Sequence, residues 1–174
     1  TSAGSDRGAT SLALGLLRAC RPKQWAKNVL VFVAPAAAGV LDTPYRIRLT
    51  LIGFAAFCLV SSATYLLNDV LDVESDRRHP TKRRRPIASG AVPIPVALLA
   101  AAVLFAAGVG LALSSNEELA LIVAGYVVLT TTYSMFLKTI AVIDVVVLSA
   151  GFILRLLGGA YAAEVDVSDW FLII

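Results

Sequence analysis

Asn68, Asp69, Asp72 and Asp76 stand in the spacing N-D-x-x-D-x-x-x-D, inside the stretch YLLNDVLDVESDRRHPTKRRRPIASG. On a continuous helix the three aspartates follow at intervals of three and four, so their carboxylates share one face. Rows spaced about 5–6 Å apart repel when the charges are alike. A hard divalent cation offsets that repulsion. Mg²⁺ takes oxygen ligands, keeps several waters and commonly uses one or two carboxylates together with a substrate phosphate. The row therefore predicts a Mg²⁺ site with Asp69, Asp72 and Asp76 as its ligands, clamping a phosphorylated substrate. Glu74 falls off that face. The residues that follow, HPTKRRRP, place Lys82 and Arg85 in a short loop stiffened by Pro80 and Pro86. Lys and Arg bind phosphate, Arg bidentately. Acids for a metal beside bases for phosphate make a Mg-diphosphate cradle the simplest chemical reading. The competing reading is a solvated loop whose Lys and Arg only set membrane topology. His79, the sole histidine, reads as a loop residue because nothing in the sequence pairs with it.

The elements that must hold this cluster are apolar. The chain has 174 residues, 58% of them hydrophobic and 16% charged, with a net charge of +3. A soluble domain carries nearer a quarter charged residues. The composition points to an all-α, polytopic transmembrane bundle. Apolar runs near the roughly 20 residues that a spanning helix needs cover 49–67, 91–113, 119–137 and 139–163. A shorter run, 29–41, contains Pro35 and spans only if Trp25 and its neighbours extend it. Residues 11–20 read as a helix lying on the membrane surface, preceded by a polar, disordered start. Domain one is thus 1–20, and 21–174 form one membrane domain. Trp170 opens a further apolar run, and the chain reads as the N-terminal part of something longer. Loop charges alternate in sign. By the positive-inside bias the N-terminus, the 68–90 loop and the turn at Lys138 face the cytoplasm, with Arg46 and Arg48 as exceptions. Two cysteines without a CxxC or Cys/His cluster imply inert thiols. A nucleic-acid module is not indicated, because the basic cluster is one loop without interleaved aromatics.

Other polar residues sit where they cost energy. RPKQWAKN, residues 21–28, offers Arg21, Lys23 and Lys27 to lipid headgroups or to a substrate phosphate, with Asn28 to orient one of them. Asp144 and Arg155 interrupt an apolar run, and intramembrane ionisable residues tend to face cavities. Eleven residues of helix separate them by about 16 Å, so they cannot pair with each other. Asp144 is expected to pair with Lys138 or another base, and Arg155 to face an anion, unless each is a buried link between helices. Tyr133 suits a phosphate contact or plain helix packing. Gly158 and Gly159 suit close helix packing.

NDVLDVESD followed by HPTKRRRPIASG resembles the first aspartate-rich motif of the UbiA-type intramembrane prenyltransferase superfamily, and AVIDVVVLSAGFILRLLGGA resembles a later helix of that family. With RPKQWAKNVLVFVAP, the pattern is most similar to the decaprenyl-phosphate phosphoribosyltransferase branch. The resemblance implies about nine helical spans around a cavity, of which five or six are present here, and a second aspartate-rich motif past Ile174. It implies phosphoribosyl transfer from phosphoribosyl pyrophosphate to decaprenyl (polyprenyl) phosphate, for cell-wall arabinan. Carried over by motif, Asp69, Asp72 and Asp76 hold Mg²⁺ and pyrophosphate, and Asn68 orients them. Lys82 and Arg85 neutralise the leaving group or the ribose 5-phosphate, and Lys23 and Lys27 hold the lipid phosphate. Tyr133, Lys138 and Arg155 are further candidates for phosphate contacts. The implied setting is the inner (plasma) membrane, multi-pass, with the site loops cytoplasmic; assembly as a homo-oligomer stays open. The alternative enzyme reading is prenyl transfer from a polyprenyl diphosphate to an aromatic acceptor. A transporter fragment, with Asp144 and Arg155 lining a path, is the reading from another class, disfavoured because no broken midplane helix pair is visible.

Overall fold

Thr43 and Pro44 set the start of the longest helix. In the computed structural model, which describes residues 2–137 and 141–166, the Thr43 side chain accepts from the Arg46 N–H and Pro44 occupies the first turn of α3, Pro44–Leu71. Pro is favoured there because its missing N–H would be unpaired anyway. Before α3 come α1 (Ser2–Ala19), a 3₁₀ helix (Pro22–Phe32) and the short α2 (Val33–Ala37). After it come α4 (Val73–Arg78), a 3₁₀ turn (Lys82–Arg84), α5 (Ile94–Leu113), α6 (Glu117–Thr132), a π-helical turn (Tyr133–Leu137) and α7 (Ala141–Ala162). No strand occurs among the described residues.

Four helices are long and apolar enough to cross a membrane: Pro44–Leu71, Ile94–Leu113, the α6 segment with its π turn over Glu117–Leu137, and Ile143–Ala162. They coincide with the four long apolar runs. The run 29–41 differs. It folds as the end of the 3₁₀ helix and α2, not as one long α-helix. The chain start also differs from the disordered stretch predicted: residues from Ser2 onward are helical.

Helix α3 is the post around which the rest assembles. It packs against α1, the 3₁₀ helix, α5, α6 and α7. One apolar cluster joins Val31, Phe57, Val60, Leu119, Val123 and Tyr126. The second joins Ala19, Leu66, Val73, Ile87 and Val92. Small residues let the helices close in. A Cβ on Gly108 would lie 2.6 Å from Val60 Cγ1, one on Gly158 would lie 2.5 Å from the Phe57 ring, and one on Gly159 would overlap the Val31 carbonyl oxygen. The two glycines predicted to allow close packing thus do so, against α3 and the 3₁₀ helix. Leu99, Val103, Leu121, Val128, Phe136, Val145 and Val146 remain exposed, as an apolar solvent such as lipid allows.

Asn116 at the start of α6 donates to the Tyr161 carbonyl near the end of α7, Tyr133 past the end of α6 meets Asp144 at the start of α7, and Thr64 of α3 meets Thr130 of α6, so α6 and α7 run antiparallel. The C-terminal end of α3 therefore shares a level with the end of α6 and the start of α7. At the opposite level Tyr45 Oη donates to Glu164 (3.1 Å) and Arg46 Nη1 to the Ala163 carbonyl (3.2 Å). That contact accounts for one exception to the charge pattern: Arg46 satisfies a carbonyl at the C-terminal end of α7, where a cation is favoured. Nothing comparable explains Arg48.

Candidate functional site

The acid row begins inside α3 and ends beyond it. Asp72 has φ −94° and ψ 3°, and it separates α3 from α4. The row is thus not one uninterrupted helical face, as predicted, although the Asp72 N–H still reaches the Asn68 carbonyl and Asp76 N–H the Asp72 carbonyl. Asp69 and Asp76, two turns apart, are 2% and 1% exposed. At that burial each carboxylate needs a partner. Arg85 supplies it: its Nη1 donates to Asp69 Oδ1 at 3.2 Å and to Asp76 Oδ2 at 2.6 Å. Arg21 Nη2 adds a second contact to Asp69 Oδ1 at 2.5 Å, while its guanidinium stacks 4.8 Å from the Tyr65 ring centroid.

Local sequence explains how the loop returns Arg85 to the acids. Ile87 and Val92 are buried against Leu66 and Val73. Arg77 Nε donates to the Ala88 carbonyl at 3.2 Å. Gly90, at φ +82°, makes the left-handed turn that lets the chain enter α5. His79 Nδ1 accepts from the Thr81 and Lys82 N–H groups at 3.2 and 3.3 Å, so the histidine serves the turn, as predicted. Arg21 also has a positive φ, 52°.

A cavity of about 300 Å³ lies at the same end; it meets the cluster through Asn68 and Tyr65, while Asp69, Asp72, Asp76 and Arg85 do not line it. Asn68 and Tyr65 of α3, Lys27, Tyr126, Tyr133, Asp144 and Arg155 line it. Arg155 is 7% exposed. Its Nε donates to Asn28 Oδ1 at 2.8 Å, Nη1 to the Gly151 carbonyl at 2.6 Å and Nη2 to Tyr126 Oη at 2.9 Å. Asn28 in turn donates to Cys58 Sγ and Ser61 Oγ. The arginine thus ties the 3₁₀ helix to α6 and α7 through neutral partners, and no described carboxylate pairs with it. Tyr133 Oη donates to Asp144 Oδ1 at 2.6 Å.

The cavity brings together Lys27, Asn68, Tyr133 and Arg155 from the predicted site set. It does not take in Lys23, which lines a separate basic recess with Arg18 and Arg21. Lys82 is exposed on its 3₁₀ turn. Asn28 points to the core and not to a neighbouring lysine. Asp144 takes Tyr133 as its hydrogen-bond partner among the described residues. Lys138 lies outside the described residues, and so does Trp170. Sequence reasoning passed over Tyr126 and Tyr65, and it gave Arg21 no link to Asp69. A tyrosine inside an apolar run that needs a partner for its hydroxyl is the one signal that would have found Tyr126. Cys20 and Cys58 carry free thiols. Burial pushes the Cys20 thiol up, partly opposed by a hydrogen bond with Ser62, which fits an inert cysteine.

Among the described residues no group of three His, Cys, Asp or Glu side chains is drawn together as a metal cluster. The donors nevertheless suit a hard cation. All are oxygens, and Asn68 Oδ1 is buried without a hydrogen-bond partner. Arg21 and Arg85 place positive charge against the carboxylates where a cation would otherwise provide it.

Residues 28–174 match the UbiA prenyltransferase family. The chain is 44% identical, over 169 residues, to the decaprenyl-phosphate phosphoribosyltransferase of Corynebacterium glutamicum, covering 94% of this chain and 51% of that protein. It is 40% identical over 171 residues to the enzyme of the same name from Mycolicibacterium smegmatis, covering 94% and 53%. Nodulation protein NoeC of Azorhizobium caulinodans is 40% identical over 154 residues, covering 88% and 50%. The chain spans about half the length of these curated relatives.

Proposed function

The chain belongs to the UbiA prenyltransferase family, and on that premise we propose that it works in polyprenyl-phosphate transfer: 5-phosphoribosyl passes from phosphoribosyl pyrophosphate to decaprenyl phosphate, and pyrophosphate leaves. The lipid product would feed arabinan synthesis. One observation carries this reading beyond the relatives' names: a cavity with two cations, Lys27 and Arg155, and several hydroxyls adjoins the buried acid–arginine cluster within a bundle of apolar helices. Such a site offers charge and hydroxyls for phosphate contacts among apolar helices.

UbiA-family prenyltransferases are generally divalent-metal dependent. Asp69, Asp72 and Asp76, with Asn68 Oδ1, would hold the metal, which we take to be Mg²⁺. When bound, it neutralises charge that develops on departing pyrophosphate. Arg85, Lys82 and Arg21 add donors at the same end and stabilise that charge as the C1–O bond breaks. Lys27 and Arg155, which both line the cavity, attract the acceptor phosphate. That acceptor is already an anion, so the step requires no strong base. Apolar helix faces give the polyprenyl tail its groove, and the positive-inside bias puts the acid loop on the cytoplasmic side of the inner membrane.

The test uses the full-length protein in detergent with Mg²⁺, labelled phosphoribosyl pyrophosphate and decaprenyl phosphate. Label should enter the organic phase and EDTA should abolish the transfer. A folded protein that moves no label, yet consumes a polyprenyl diphosphate, would replace this reading with prenyl transfer to an aromatic acceptor.

A further inference from the structure

Asp144 poses a problem for any cavity built to take phosphates. It lines the same cavity as Lys27, Asn68 and Arg155, and a carboxylate there repels a polyanion. The buried acids at this end, Asp69 and Asp76, are neutralised by Arg21 and Arg85, whereas Asp144 is exposed at the cavity's edge. Asp144 has no ion pair among the described residues. Its hydrogen-bond partner among the described residues is neutral, the Tyr133 hydroxyl on Oδ1 at 2.6 Å. Tyr133 sits on the π-helical turn that closes α6, and π turns recur at functional sites. An exposed carboxylate at the cavity's edge is free to accept hydrogen bonds from hydroxyls on a ligand.

We propose that Asp144, oriented by Tyr133, accepts hydrogen bonds from the vicinal hydroxyls of a ribose, and so makes the cavity selective for a sugar-bearing diphosphate over an isoprenoid one. This rests on the phosphoribosyl reading above. A prenyl diphosphate carries no hydroxyl and would meet Asp144 as pure repulsion. A ribosyl diphosphate carries two adjacent O–H donors next to the carbon that reacts. Hydrogen bonds to an ionised acceptor are about twice as strong as neutral ones, and acidic side chains read ribose hydroxyls in the same way in dinucleotide-binding folds. The level also fits. Asp144 opens α7, Tyr133 closes α6 and the acid row closes α3, so the sugar would sit beside the group that holds its pyrophosphate. Tyr133 fixes one carboxylate oxygen, and the other, Oδ2, has no partner among the described residues. Tyr133 is thus a positioning residue in this proposal.

The experiment is calorimetric binding to the full-length protein in detergent with Mg²⁺, comparing wild type, Asp144→Asn and Tyr133→Phe. The two ligands are phosphoribosyl pyrophosphate and pyrophosphate, which differ only in the phosphorylated sugar. Wild type should bind the sugar-bearing ligand more tightly. Asp144→Asn should weaken it by about tenfold or more while leaving pyrophosphate within about twofold, and Tyr133→Phe should weaken it by about threefold. Asp144→Asn that binds phosphoribosyl pyrophosphate as wild type does would overturn the proposal. Equal weakening of both ligands would also overturn it, making Asp144 part of the metal site or of the fold. A wild-type protein that binds pyrophosphate but not phosphoribosyl pyrophosphate would sink the phosphoribosyl reading itself, a distinct outcome.

Discussion

One nitrogen of Arg85 reaches two buried carboxylates, and Arg21 arrives from 48 residues earlier to share the first. The two arginines are not equivalent. Without Arg21, Asp69 keeps Arg85. Without Arg85, Asp76 loses the only salt-bridge partner it has among the described residues. Breaking a buried pair from one side costs about 3–5 kcal/mol, because a charge stays behind. Arg85→Gln should therefore destabilise by about 3 kcal/mol and Arg21→Gln by clearly less, measured by denaturation in detergent. Asp69→Asn should cost less in the Arg21→Gln background than in wild type, by the coupling of a shared pair. Additive losses would mean that the cluster is not one network. Arg155 is the parallel case inside the membrane. Arg155→Met strips partners from Asn28 Oδ1 and Tyr126 Oη, each worth about 1–3 kcal/mol if left buried and unpaired, while relieving an unpaired charge. A net loss of about 2 kcal/mol is expected, and an unchanged transition would remove the link from the account. These pairings explain what sequence could and could not say here. The spacing of Asp69, Asp72 and Asp76 is local and readable. The identity of Arg21 as a counter-ion, and of Asn28 and Tyr126 as the partners of Arg155, depends on which faces of separate helices meet, and no local pattern encodes that.

At the scale of elements, α7 reaches the 3₁₀ helix only because Gly159 has no side chain. Its Cβ would occupy the position of the Val31 carbonyl oxygen, which is backbone and cannot rotate away. Gly110 and Gly125 have open space around the same added atom. Gly159→Ala should thus cost about 3 kcal/mol or prevent assembly, as overpacking at backbone does. Gly110→Ala and Gly125→Ala should be neutral or stabilise by up to about 1 kcal/mol through helix propensity. Comparing the three thermal transitions tests the contact with matched chemistry. A Gly159→Ala protein as stable as Gly110→Ala would show that α7 does not dock on Val31. The long helices were legible because an apolar run of about 20 residues has few alternatives. The 3₁₀ helix over Pro22–Phe32 and the π turn over Tyr133–Leu137 were not, since hydrophobic period alone does not distinguish them from α-helix. The break at Asp72 was missed for a related reason: the i to i+4 hydrogen bonds run through it, so only a small change in ψ marks the end of α3.

For the whole molecule, the decisive property is that the chemistry lies at one level. Asp69, Asp76, Arg85, Tyr133 and Asp144 come from five different segments, and alternating helix direction brings them to the same end. The opposite end carries Tyr45, Arg46, Glu117, Glu118 and Glu164, with Arg46 spent on the end of α7. If the loop bias holds, the first level faces the cytoplasm. Single cysteines report this directly. Ser89 and Ser114 are both exposed, one in the loop before α5 and one just after it. Cys58 is buried and Cys20 half-buried with its thiol pushed up by burial, so the native background reacts slowly. In intact cells a membrane-impermeant maleimide should label Ser114→Cys and spare Ser89→Cys until the membrane is opened. The reverse pattern would turn the molecule over. It would also place the acid cluster on the side away from soluble phosphorylated metabolites, which would deprive a phosphoribosyl donor of its access. Labelling of both sites from outside would mean that α5 does not cross, and then the level shared by α3, α6 and α7 would lose its meaning as a membrane face.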